Sequence, residues 1–118
     1  MTTKEVAKRF NELAQEGKWD AIYEELYSND AASIEPEHAQ GLQTVKGMDA
    51  IKEKGKKWNS TIEEVHGGFC GEPQVASNYF SCAMGFDATF KGQGRMNLEE
   101  IALYEVKDGK IISEQFFY

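Results

Sequence analysis

From Thr61 to the C-terminus the chain alternates between apolar and polar residues and is cut by three short breaks, and no other feature constrains the fold as much. Thr61 to Phe69, Gln74 to Phe90, Arg95 to Val106 and Lys110 to Tyr118 read as strands. The breaks between them are Gly71-Glu72-Pro73, Gly92-Gln93-Gly94 and Asp108-Gly109. Asp-Gly is the pair that a type I′ turn demands, because both central residues need positive φ, and the glycine-rich break before it serves a hairpin equally well. Successive strands joined in this way form an antiparallel meander, and one of its faces must be covered by other elements.

The N-terminal half supplies that cover. Thr2 and Glu5 have capping-box spacing, Val6, Phe10 and Leu13 share one helical face, and Gly17 stops the helix. Trp19, Ile22, Tyr23 and Leu26 recur at helical spacing and give a second, shorter helix. Asn29 and Asp30 are then expected to break it, with Ala31 to Glu35 running as a short strand up to Pro36, whose ring forces the preceding residue toward extended geometry. Met48, Ile51, Gly55 and Trp58 mark one side of a third helix, and Lys52, Lys54, Lys56 and Lys57 read as its solvated side. Helices first and strands after is an α+β pattern.

Composition narrows the function classes. A chain of 118 residues is expected to form one domain over 1–118. Its formal charge of -7 and pI near 4.8 repel nucleic acid and anionic membranes. No apolar run approaches the roughly 20 residues of a membrane span, and the N-terminus lacks the pattern of a signal peptide, so a soluble, cytoplasmic protein is expected. Cys70 and Cys82, taken with His38 and His66, have no zinc-site spacing; they read as free thiols, and neither a metal nor a cofactor is called for.

Strand parity divides the sheet into two faces. Phe80, Cys82, Met84 and Phe86 fall on one, expected to lie against the helices, and Tyr79, Ser81, Ala83, Gly85 and Asp87 on the other. Ile101-Ala102-Leu103-Tyr104 is apolar on both faces, which a one-layer sheet facing water does not tolerate. The outer face is therefore expected to meet a second copy of the chain.

Taken in order, the short helices, the strand ending in acid-Pro, Gly47-Met48-Asp49-Ala50-Ile51 at a helix start and the closing Val106-Lys107-Asp108-Gly109-Lys110-Ile111 hairpin resemble the SnoaL-like group of the nuclear transport factor 2-like superfamily. Polyketide cyclases and ketosteroid isomerases belong to that superfamily. The resemblance spans nearly the whole chain and implies a curved antiparallel sheet wrapped around N-terminal helices, forming a cone with an internal, largely apolar pocket and pairing into homodimers through the outer sheet face. Residues 27–36, YSNDAASIEP, look like the ketosteroid isomerase segment that ends in a proton-shuttling aspartate before proline, and Glu35 takes that aspartate's place. Burial would raise its pKa toward the range useful to a base. The family's two oxyanion donors fall on Phe10 and Ala102, neither of which can donate from its side chain, so steroid isomerisation by that mechanism is not expected.

With Ala102 facing the pocket, Leu98, Glu100 and Tyr104 face it too, and on the last strand the resemblance adds Glu114, Phe116 and Tyr118. Glu35 and Glu100 are the candidate catalytic pair, one acid and one base. Phe10, Tyr27, His38, Phe80, Met84, Phe86, Tyr104, Glu114 and Phe116 are the candidate ligand-binding residues. Against these stand plainer readings: Glu35 solvated at the mouth or paired with a lysine, Glu100 paired with Arg95 or Lys110 on the rim, His38 idle in its loop, and Tyr23 and Trp58 in the core. The leading expectation is proton transfer on a small hydrophobic carbonyl compound, as an isomerase, cyclase or dehydratase. The alternatives are a non-catalytic binder of a hydrophobic ligand and a homodimeric interaction module with a vestigial pocket.

Overall fold

The computed structural model describes residues 1–118. The first helix, α1 (Thr3–Gln15), begins with the full capping box: Glu5 N–H donates to the Thr2 hydroxyl, and the Glu5 carboxylate accepts from Thr2 N–H. It buries Val6, Ala7, Phe10, Leu13 and Ala14, and Gly17 at φ 72° turns the chain into α2 (Trp19–Leu26). The third helix, α3 (Met48–Ser60), follows the two-residue strand β2 (Val45–Lys46), which is not among the expected strands.

The strands are β1 (Tyr27–Ile34), β3 (Ile62–Cys70), β4 (Gln74–Ala76), β5 (Tyr79–Phe90), β6 (Gly94–Lys107) and β7 (Lys110–Phe117). They form one curved sheet in the order β2-β1-β7-β6-β5-β3, with β4 on the edge of β5. Three expectations need correction. The sheet is mixed, because β1 runs parallel to β7. Asn29 and Asp30 do not separate helix from strand: β1 leaves α2 at Tyr27, and both residues lie within an irregular stretch between the pairs Tyr27 with Ile111 and Ala32 with Ser113. The expected single strand from Gln74 to Phe90 is a hairpin, with Ala76 opposite Tyr79 and Ser77 at φ 54° in the turn. Ser77-Asn78 lacks a glycine, so the turn has no strong sequence signal. Asp108 and Gly109 do adopt positive φ, 52° and 76°, at the β6–β7 turn.

Register settles the inner face. Phe80 pairs with Tyr104, Cys82 with Ala102, Met84 with Glu100 and Phe86 with Leu98. On the other side of β6, Ala102 pairs with Phe116 and Tyr104 with Glu114. Phe10 from α1 packs into this face, its ring centroid 4.7 Å from Tyr104 and 5.3 Å from Phe80, while Phe80 and Tyr104 stack at 4.8 Å. No helix is long and apolar enough to cross a membrane.

Candidate active site

Along β1 the side chains of Ala31, Ser33 and Glu35 alternate to the same side. Ala31 and Ser33 are fully buried, and the Glu35 side chain is only 5% exposed. The strand ladder stops at Ile34; Glu35 N–H donates instead to the Thr44 hydroxyl at 3.0 Å, and Pro36 leads the chain away. Glu35 is thus fixed just beyond a strand end, turned inward.

Facing it is a residue assigned above to the wrong side of its helix. Lys54 is not solvated: its side chain is 12% exposed, and its Nζ donates to Glu35 Oε2 at 2.7 Å and to Ser33 Oγ at 2.6 Å. The spacing carries the signal, since Lys54 lies three residues after Ile51 and four before Trp58, on the apolar stripe of α3. Lys52, Lys56 and Lys57 are exposed as expected. The Lys54 ammonium also lies 5.8 Å from the centre of the Phe116 ring, within cation–π range. Ser33 carries no signal of its own in the sequence beyond sharing its strand parity with Glu35.

Glu114 of β7 is 4% exposed and completes the buried network. Ser33 donates to its Oε2 at 2.6 Å and the Tyr27 hydroxyl donates to its Oε1. Burial pushes the Glu114 carboxyl up, opposed by the hydrogen bonds from Ser33 and Tyr27 and by the charge of Lys54. Burial, and then the nearby Glu114 charge, hold the Tyr27 hydroxyl firmly protonated. At the other end Tyr118 donates to Glu35 Oε1 at 2.8 Å. A continuous hydrogen-bonded chain therefore runs from Tyr27 through Glu114, Ser33, Lys54 and Glu35 to Tyr118.

Glu100 stands beside this chain. It is half-buried on the inner face of β6, and its rim partners are engaged elsewhere: Arg95 forks onto Asp87 at 3.1 and 2.9 Å, and Lys110 donates to the Glu25 carbonyl at 2.7 Å. Burial pushes the Glu100 carboxyl up to about 7, reinforced by the charges of Glu35 and Glu114 and opposed by Lys54. One cation among three carboxylates leaves two without a counter-charge, and of these the half-buried Glu100 is placed to hold or release a proton near neutrality, which is the condition a general acid–base group needs.

The other candidate residues differ in burial. Phe10, Phe80 and Tyr104 belong to the core between the sheet and the helices and are exposed by no more than 2%. Met84, Phe86 and Phe116 are half-buried on the same inner face, nearer the carboxylates. His38 is exposed at the mouth, its ring edge-on to Tyr118 at 5.8 Å. Trp58 packs against Phe90 and Phe86, and Tyr23 against Tyr27, as core residues do. A hollow of about 310 Å³ is lined by Phe69, Ala83, Glu99, Ile101 and Phe117, whose parity is that of the outer face, together with Met84 and Glu100 of the inner one.

The sequence profile of the SnoaL-like domain matches residues 1–118. A protein from Mesorhizobium loti, provisionally described as a SnoaL-like polyketide cyclase, is 36% identical over the whole of both chains and superposes with a TM-score of 0.91. Two more distant structures share the fold. One is a protein of unknown function with a cystatin-like fold from Xanthomonas campestris, 20% identical, with 99% of this chain and 90% of that one covered and a TM-score of 0.74. The other is a provisionally assigned isomerase from Bacillus subtilis, 20% identical, with 98% and 88% covered and a TM-score of 0.72. A sequence search of curated proteins finds no match.

Proposed function

The chain belongs to the SnoaL-like domain family, and from that premise we propose that its concave face transfers a proton on a small hydrophobic carbonyl compound, with Glu100 as the acid–base group and Lys54 steadying the developing oxyanion. The observation that carries this reading is the contrast between the two candidate carboxylates. Glu35 is engaged on both oxygens, by Lys54 and Tyr118, and so acts as a counter-ion that positions the ammonium. Glu100 sits in the field of both neighbouring acids with its rim cations taken, and it titrates where a base must work. Lys54 has three donors and spends two on Glu35 and Ser33, leaving one for a substrate oxygen beside Phe116. This supplies the electrophile that Phe10 and Ala102 cannot. Met84, Phe86 and Phe116 provide the apolar bed.

Deuterium exchange at the α-carbon tests the proposal. A panel of hydrophobic enolisable ketones in D₂O is followed by NMR, with the wild type expected to accelerate exchange and Glu100→Gln to lose about 10²–10⁴-fold of it. Exchange unchanged in Glu100→Gln on a substrate the wild type turns over would remove Glu100 from the role.

The outer sheet face supports pairing of two copies. Phe69, Tyr79, Ile101 and Phe117 are 53%, 40%, 52% and 48% exposed there, an apolar surface unusual for a free face. Ile101→Glu should shift sedimentation toward monomer. A second reading, an interaction module with no reaction, draws on the burial of Phe10, Phe80 and Tyr104 as core; it predicts a dimer that exchanges no ketone in the panel. The free thiols suit a reducing compartment such as the cytoplasm.

A further inference from the structure

Cys70 and Cys82, twelve residues apart and unrelated by any motif, are brought together by the β3–β5 register. Cys70 pairs with Met84, and Gly71 N–H donates to the Ala83 carbonyl at 2.7 Å, so Cys82 lies diagonally across from Cys70 on the same inner face. The Cys70 thiol donates to the Gly71 carbonyl at 3.9 Å, and the neighbouring Cys82 thiol perturbs it, with the Cys70 pKa lowered and that of Cys82 raised. The two differ in access: Cys82 is 1% exposed within the core, whereas Cys70 is only partly buried, at the strand end. We propose that Cys70 and Cys82 form an oxidation site for hydroperoxides, with Cys70 as the attacking thiol and Cys82 as the resolving one.

The Cys70 thiolate attacks one peroxide oxygen; the O–O bond breaks, Cys70 becomes the sulfenic acid, and hydroxide or alkoxide leaves. The Cys82 sulfur then displaces hydroxide from the sulfenic acid, and with the Cys82 proton it departs as water, leaving the disulfide. The nearby Cys82 thiol lowers the pKa of the Cys70 thiol while that of Cys82 is raised, which suits this division of labour. A diagonal strand pair is about an ångström too wide for an unstrained bridge. Cys70 is the last residue of β3, and the Gly71 bond to Ala83 is the final one before Glu72-Pro73 leaves the sheet, so the required shift falls at the very end of the ladder.

The site does not depend on the proposed proton transfer, yet it adjoins it. Cys70, Met84 and Glu100 form one row across β3, β5 and β6, and Cys82, Ala102 and Phe116 form the next across β5, β6 and β7. Closing the bridge tightens the strands that present Glu100 and Phe116.

The test is peroxide treatment of the purified chain followed by thiol blocking in denaturant and peptide mass spectrometry. The expected product is a Cys70–Cys82 linked peptide within a monomer, reversed by dithiothreitol. It should be absent in Cys70→Ser, while Cys82→Ala accumulates a dimedone-reactive sulfenic acid at Cys70. The wild-type peptide map needs no variant and stands even where Cys82→Ala folds poorly. Two blocked thiols after treatment, a disulfide between two chains, or sulfenic acid on Cys82 would overturn the proposal.

Discussion

Replacing Glu100 with Gln keeps the shape of the side chain and removes its titration, so the pH dependence of stability isolates the field in which it sits. The folded-state pKa lies near 7 against an ordinary 4.5. A carboxyl raised in the folded state favours folding fully below its unfolded pKa, and that contribution is lost as pH rises through the folded value. The interval from 4.5 to about 7 corresponds to about 3 kcal/mol, and about 2 kcal/mol once the partial exposure of the group is allowed for. Glu100→Gln should therefore gain about 2 kcal/mol on the wild type between pH 4.5 and pH 8.5. Urea unfolding at several pH values measures this. With a slope of about 1–1.5 kcal/mol/M, the two midpoints should draw apart by about 1.5 M across the window. Parallel curves would mean that neither burial nor the charges of Glu35 and Glu114 raise the Glu100 carboxyl, and with that the acid–base assignment fails.

Lys54→Met strands Glu35 and Ser33 and should cost about 3 kcal/mol at pH 8, because breaking a buried ion pair leaves an unpaired charge. The loss should shrink at pH 5 as the stranded carboxyls take up protons; a cost below about 1 kcal/mol at pH 8 in urea unfolding would contradict the buried network. Thr2→Ala removes the α1 cap and should cost about 1 kcal/mol, read as a lower thermal midpoint. Gly109→Ala forces a side chain into a turn at φ 76° and within 3.0 Å of Met1 N, and should cost about 1–2 kcal/mol in the same assay.

Much of the inner face is legible in the sequence because side-chain direction alternates along a strand and only one alternation buries the aromatic residues. Phe80, Cys82, Ala102 and Tyr104 lie where parity puts them, and the inward direction of Glu100 follows from the same rule. Lys54 escapes that kind of reading for the opposite reason. Four lysines in one helix look like a solvated face, and the one on the apolar stripe is distinguished only by what it meets. Glu114, on the pattern of its own strand, fits solvent as readily as the interior, and only the partners on β1 make it buried and bonded.

What the sequence by itself determined are the local choices: the capping box that starts α1, the apolar stripes, the positive-φ turn at Asp108-Gly109 and the alternation that gives each strand an inside. These depend on neighbours a few residues away and are written in spacing. Tertiary structure alone decided that β1 joins the sheet parallel to β7, which brings Ser33 of β1 within hydrogen-bond reach of Glu114. It also decided that Lys54 serves both Ser33 and Glu35, and that Cys70 lies diagonally across from Cys82. Each of those contacts joins segments separated along the chain. Its free energy comes from burying and pairing charge or sulfur in one shared volume, and no local pattern records which distant residue will fill it.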